Sequence, residues 1–133
     1  MPTADALDLL QQRVDAIEGG YEFLLAYAAQ GLATDEGNAN SEQLRTYLQR
    51  MDDGIAGLES ALRAVLDGSD SVEHFEPFLQ VLARDAGAAR AALRIVSSRK
   101  GVSSQLVDNL NASIHVRALL TDLFLLDEAV KSL

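Results

Sequence analysis

Apolar side chains recur every three or four residues through most of the chain, in four segments separated by polar or glycine-containing stretches. This spacing puts the apolar positions on one face of an α-helix and predicts helices packed against one another. Three connections join them, and only the one near residues 31–40 is long. The sequence therefore predicts an all-α fold, an up-down-up-down antiparallel four-helix bundle that forms one domain over residues 1–133. The predicted helices cover about residues 5–30, 41–67, 71–99 and 103–132.

Three features interrupt this pattern. The first predicted helix keeps its apolar phase across Gly19 and Gly20, both outside the apolar face, so we expect it to continue through them. Pro77 removes a backbone donor near the start of the third helix, which predicts either a kink or a separate turn before it. In the fourth helix one apolar phase ends at Ile114 and another begins at Val116. The slip leaves open whether His115 or Val116 faces the core.

The last predicted helix is apolar on more than one side from Leu119 to Leu126. Packing inside a small bundle usually needs a single apolar face. Either this helix is the most buried of the four, or the excess is an association surface, with a homodimer as its simplest form. The predicted anchors of that surface are Leu119, Leu120, Leu123, Phe124 and Leu126.

The net charge of −9 argues against nucleic acid as a partner, since such binding relies on a basic surface, and it disfavours an anionic membrane surface. The charge is unevenly distributed, however. Residues 1–42 hold eight acidic side chains and one basic side chain, whereas residues 77–101 hold five basic and one acidic. Arg90 and Arg94 lie one helical turn apart, so both can address one carboxylate or phosphate of a partner. The alternative is ion pairing with the acidic first or second helix.

The absence of cysteine, of a signal segment and of a membrane span indicates the cellular compartment. Cysteine is absent, which excludes disulfides and thiolate metal sites and is typical of a reducing environment. No basic segment precedes an apolar run at the N-terminus, and the longest apolar-rich stretch is far shorter than the ~20 residues of a membrane span. We expect a cytoplasmic protein with no membrane association.

No catalytic, cofactor or metal motif occurs. A di-iron carboxylate bundle requires Glu-x-x-His, but Ser71 and Ala112 stand three residues before His74 and His115. The sequence has no nucleophile elbow, phosphate-binding loop or dinucleotide fingerprint. We therefore expect no metal and no cofactor, and we do not expect an enzyme.

His115 supports a second hypothesis, because a histidine halfway along a bundle helix is where a phosphotransfer domain carries its phosphoryl group. Such domains usually follow it with a lysine, whereas here Arg117 is the nearest following cation. The alternative role is a histidine at the core edge, hydrogen-bonded to a neighbouring helix. Gly87 and Ala91 support a third hypothesis, a pocket for a small ligand, although small residues also allow a close helix crossing.

By elimination, the sequence favours a non-enzymatic protein-interaction module: an adaptor, assembly chaperone or regulator that holds a protein partner on a helix face. A histidine phosphotransfer domain with His115 as acceptor is the first alternative, and a ligand-binding helical bundle is the second.

Overall fold

The computed structural model describes residues 2–133, and all regular secondary structure in that range is helical. The predicted all-α class is confirmed. The predicted count of four helices is wrong, because the predicted second and fourth helices are each divided in two. The six helices are α1 (Ala4–Ala29), α2 (Ser41–Ala56), α3 (Leu58–Leu66), α4 (Val72–Ser97), α5 (Ser104–Ala112) and α6 (Ile114–Val130).

The break between α5 and α6 explains the slip in the apolar phase. Ser113 adopts an extended conformation with φ −62° and ψ 142°, and its hydroxyl accepts a hydrogen bond from the Val116 amide at 3.3 Å. Ser113 therefore caps a new helix, whose apolar positions need not follow the phase of α5. Val116 is fully buried and His115 is exposed, which settles the question that the sequence left open.

Two glycines allow α1 to approach α2 and α3. A Cβ atom at Gly20 would lie 2.9 Å from Cβ of Met51, and one at Gly57 would lie 2.7 Å from Nε of Arg13. Gly57 also separates α2 from α3. The prediction that α1 continues through both glycines is confirmed, but Gly20 is buried and does not lie outside the packed face. Similarly, α4 runs unbroken through Pro77, so no separate turn precedes it.

The helices α2 and α4 run in opposite directions. Arg45 of α2 reaches the end of α4 at Ser97, and Asp52, two turns further along, pairs with Arg90. The helix α1 packs against α2, α3 and α5, while α4 packs against α2, α5 and α6. The resulting core is aliphatic, with Tyr27 as its largest fully buried side chain.

Asp35 fastens the long connection between α1 and α2. Its carboxylate is buried and accepts hydrogen bonds from the Ser41 hydroxyl, the Arg45 guanidinium and the Val102 amide, at 2.7, 3.2 and 2.8 Å. Burial alone would raise the pKa of Asp35, but these hydrogen bonds lower it overall. Arg45 also donates to the carbonyls of residues 97, 99 and 100, which lack partners within α4. One carboxylate therefore links the α1–α2 connection to the start of α2 and to the α4–α5 connection.

No helix within residues 2–133 combines the length and the apolar character needed to cross a membrane.

Candidate functional site: the α4–α6 groove

The predicted association face on the last helix lies mostly in the core. Leu119, Leu120, Leu123 and Leu126 are 0–6% exposed, because α6 packs them against α4 and α5. Their assignment as surface anchors is therefore wrong, and the excess apolar character of this helix reflects burial. Among the five predicted anchors, Phe124 alone is exposed, at 55%.

The predicted arginine pair is divided. Arg90 Nε lies 2.9 Å from Asp52 Oδ1 of α2, so Arg90 makes the intramolecular ion pair that the sequence offered as the alternative. Arg94 is exposed, and its side chain has no hydrogen-bond or ion-pair partner in the part of the chain that the structure describes. Of the two arginines, only Arg94 is available to bind a carboxylate or phosphate of a partner.

A shallow apolar groove lies between α4 and α6 on the outside of the molecule. Its volume is about 310 Å³. Beside it, Ile95 is 63% exposed and Ile114 is 73% exposed, the two most exposed large aliphatic side chains that the structure describes. Leu125, 56% exposed, lies eleven residues after Ile114 and hence on the same side of α6. We call this surface the α4–α6 groove; its lining residues are Ala88, Ala91, Ala92, Ile95 and His115.

Small side chains on α4 keep the groove open. Gly87 and Ala91 are exposed, and a Cβ atom added to Gly87 would meet nothing within 4 Å. The prediction of a close helix crossing at Gly87 is wrong, since a Cβ there would meet nothing; Ala91, by contrast, lines the groove. An approaching helix can therefore come close to the α4 backbone there.

His115 lies in the first turn of α6, at the edge of the groove, and is exposed. Its imidazole makes no hydrogen bond to any residue between 2 and 133, so the prediction of a hydrogen-bonded histidine at the core edge is wrong. Arg117 is two residues further along, about 200° around the helix, and so lies on a different side from the imidazole.

Residues 84–117 carry several exposed cations although the protein is acidic. Arg84 Nε lies 4.0 Å from Asp85 Oδ1, and Arg94 lines a recess between α2 and α4. By contrast, the outer side of α1 is acidic, with Asp8, Asp15 and Glu22 exposed. The exposed cations within residues 84–117 are Arg84, Arg94, Arg99, Lys100 and Arg117.

A pair of carboxyl groups lies between α4 and α6, below the groove. Asp122 is only 6% exposed, and its Oδ2 has no hydrogen-bond donor among the residues that the structure covers. The pKa of Asp122 is raised to about 7, mainly by burial and also by the hydrogen bond and charge of Asp85, against the opposing effect of Arg84. At neutral pH the Asp122 carboxyl is therefore protonated for part of the time.

Sequence reasoning missed the residues that define this site. Ile95 stands outside the apolar face of its helix, and this was the available signal. Ile114 was assigned to the buried phase, but the break at Ser113 turns it outward. Asp122 interrupts an apolar run, which is a recognisable sign of a buried charge, but its partner Asp85 is brought close only by the fold.

Within the described residues, no group of three or more His, Asp or Glu side chains is placed to hold a metal ion. The chain matches no protein-family model, and comparisons with curated proteins and with solved structures find no match either.

Proposed function

We propose that this protein is a non-enzymatic interaction module, an adaptor, assembly chaperone or regulator, that binds a helical segment of a protein partner in the α4–α6 groove. In this proposal α2 with α3, and α5 with α6, act as single interrupted rods, so that the molecule works as a four-rod antiparallel bundle. The observation that carries the proposal is the exposure of Ile95 and Ile114 beside a floor of alanines.

A cluster of exposed aliphatic side chains is unfavourable in free energy, because its apolar area stays in contact with water. Full burial of one isoleucine or leucine contributes roughly 1.5–3 kcal/mol, so Ile95, Ile114 and Leu125 together offer a partner several kcal/mol. Single exposed leucines are common, but several exposed aliphatic side chains near one apolar groove are typical of protein-interaction sites. A groove between two helices suits a third helix, which packs its apolar stripe against both.

The test is isolation of partners from native cells with three matched chains: the native protein, Ile95→Glu and Leu25→Glu. Both substitutions add one negative charge at an exposed aliphatic position, but Leu25 lies on α1, away from the groove. We expect a protein that associates with the native chain and with Leu25→Glu and is lost with Ile95→Glu. Equal recovery with all three chains would contradict the proposal.

A histidine phosphotransfer domain is the second candidate, favoured by the exposure of His115 beside small side chains that leave the imidazole accessible. Phosphoramidate, which transfers a phosphoryl group to imidazole nitrogen and releases ammonia, is a suitable donor. This candidate predicts a phosphohistidine signal in ³¹P NMR that His115→Gln removes and His74→Gln retains. Equal labelling of both histidines would show that phosphoramidate reacts with any exposed imidazole, and it would contradict a specific acceptor role for His115. A small-ligand pocket at Gly87 and Ala91 has less support, because both residues face outward.

A further inference from the structure

We propose that α6 separates from the rest of the molecule as a unit, with Ser113 as the hinge, when carboxyl groups at its contacts with α4 and α1 ionise. Because α6 forms one side of the α4–α6 groove, this movement would also remove the groove. It requires only a rise in pH and no partner protein, so it does not depend on the proposed function.

The contact between α6 and α4 contains a buried pair of acidic side chains. Asp122 of α6 is 6% exposed, and a protonated Asp122 can donate a hydrogen bond to Asp85 of α4. When Asp122 ionises, two carboxylates face each other where water is largely excluded, which is unfavourable. The opposing cation, Arg84 of α4, has a side chain that is 76% exposed and screened by water, and the one ionisable residue of α5, Asp108, is exposed. Ionisation of Asp122 therefore weakens the contact between α6 and α4.

A second group of acidic residues lies where α6 approaches α1. Glu18 of α1 is half-buried, and burial is the main reason that its pKa is raised. The charge of Asp127 on α6 acts in the same direction, whereas Lys131 on α6 opposes it. The other charged groups that act on Glu18 are Asp15 and Glu22, both on α1. The contacts of α6 with α4 and with α1 are therefore both weakened as carboxyl groups ionise.

The break at Ser113 allows α6 to move while the other helices stay together. Ser113 has an extended backbone, and its hydroxyl caps α6, so α6 can turn about this residue and keep its first turn. Asn111, two residues before the break, is 5% exposed, and neither atom of its side-chain amide has a hydrogen-bond partner within residues 2–133. Opening at Ser113 would bring this amide into water, which lowers the free energy of opening. The packing of α1 against α2, α3 and α5 does not involve α6 and can persist.

Hydrogen–deuterium exchange of the native chain between about pH 5 and about pH 7 tests this movement. Each measured rate is divided by the intrinsic rate at the same pH to give a protection factor, which reports the opening equilibrium. We expect the amides of α6 to be at least about tenfold less protected than those of α2, because α6 opens before the whole chain unfolds. The protection of α6 should also fall by up to about tenfold per pH unit, because opening releases one proton from Asp122.

A matched pair of variants shows whether Asp122 controls this opening. Asp122→Asn keeps the size of the side chain but cannot ionise, so we expect the protection of α6 to change by less than about threefold per pH unit. Asp108→Asn makes the same substitution at an exposed position of α5 and should keep the native pH dependence.

Equal protection of α6 and α2 at every pH would show that α6 opens only when the whole chain unfolds, and it would overturn the inference. The native chain alone gives this result, so the test holds even if a variant does not fold. Protection of α6 that does not change with pH in the native chain would also overturn it. The same follows if Asp122→Asn keeps the native pH dependence, because the carboxyl pair would then not control the opening.

Discussion

Asp122 is the residue whose environment departs most from that of an ordinary carboxyl group. Its pKa rises from 3.8 to about 7 in the folded protein, mainly because it is buried. Between these values the folded state holds a proton that the unfolded state releases. The free energy of unfolding therefore decreases as pH rises from about 4 to about 7, and this contribution to stability is complete only at lower pH.

Asp122→Asn removes this dependence, because an amide stays neutral and can donate a hydrogen bond to Asp85. We expect the variant to be more stable than the native chain at pH 8, by about 1–2 kcal/mol, and to show a flatter stability profile between pH 4 and 7. Urea unfolding at several pH values measures both quantities. Asp108→Asn, on the exposed side of α5, is the matched control. A profile as steep as that of the native chain would show that Asp122 is ionised throughout.

The structural role of Asp35 could not be predicted from the sequence. It belongs to a polar stretch that reads as a simple loop, but it accepts a backbone hydrogen bond from Val102, 67 residues away in sequence. The Tyr27 hydroxyl donates a hydrogen bond to the Val102 carbonyl at 2.6 Å. These contacts exist only when α1, α4 and α5 meet, so local pattern cannot predict them.

At the scale of elements, periodicity predicted the helical segments and missed their interruptions. The predicted first helix, residues 5–30, differs from α1 by one residue at each end. The division at Gly57 was missed because apolar positions keep their spacing through Ile55, Leu58 and Leu62. The division at Ser113 did leave a signal, the phase slip. A helix that is buried on several sides and a helix with an association face have similar amino-acid compositions. The sequence therefore could not distinguish them, and the buried leucines of α6 were predicted to be surface residues.

Two glycines in helices test the packing of these elements. Gly87→Ala should stabilise the protein by about 0.5–1 kcal/mol, because alanine favours helix and its Cβ meets nothing within 4 Å. Gly20→Ala should destabilise it, since the new Cβ would lie 2.9 Å from Cβ of Met51. Chemical unfolding of both variants measures the difference. A destabilised Gly87→Ala would mean that the outer side of α4 is covered.

Adjacent residues of α6 test the correction to the predicted surface. Leu123 is 1% exposed and Phe124 is 55% exposed. Leu123→Glu places a charge in the core and should cost more than about 3 kcal/mol or prevent folding, whereas Phe124→Glu should change stability by less than about 0.5 kcal/mol. Circular dichroism and thermal unfolding distinguish the two. A folded, stable Leu123→Glu would restore that face as a candidate association surface.

At the scale of the whole molecule, α4 carries both exposed apolar side chains and exposed cations in an acidic protein. The sequence indicated both parts, a locally basic third quarter and a surplus of apolar residues, but assigned the surplus to the wrong residues. Packing buried four of the five predicted anchors and left Ile95 and Ile114 at the surface. The α4–α6 groove exists because these two helices are neighbours in the fold. Sequence periodicity predicts where each helix lies in the chain, but it does not predict which helices are adjacent.

The most direct test of the α4–α6 groove as the interaction surface is photo-cross-linking in native cells, with a photoreactive amino acid at Ala91 in the groove or at Gln12 on the exposed side of α1. Both positions are exposed and helical, so the substitutions are matched. The account predicts a discrete cross-linked protein from position 91 that is absent from position 12 and lost when Ile95→Glu is added. A discrete adduct from position 12 alone, or the same adducts from both positions, would contradict it.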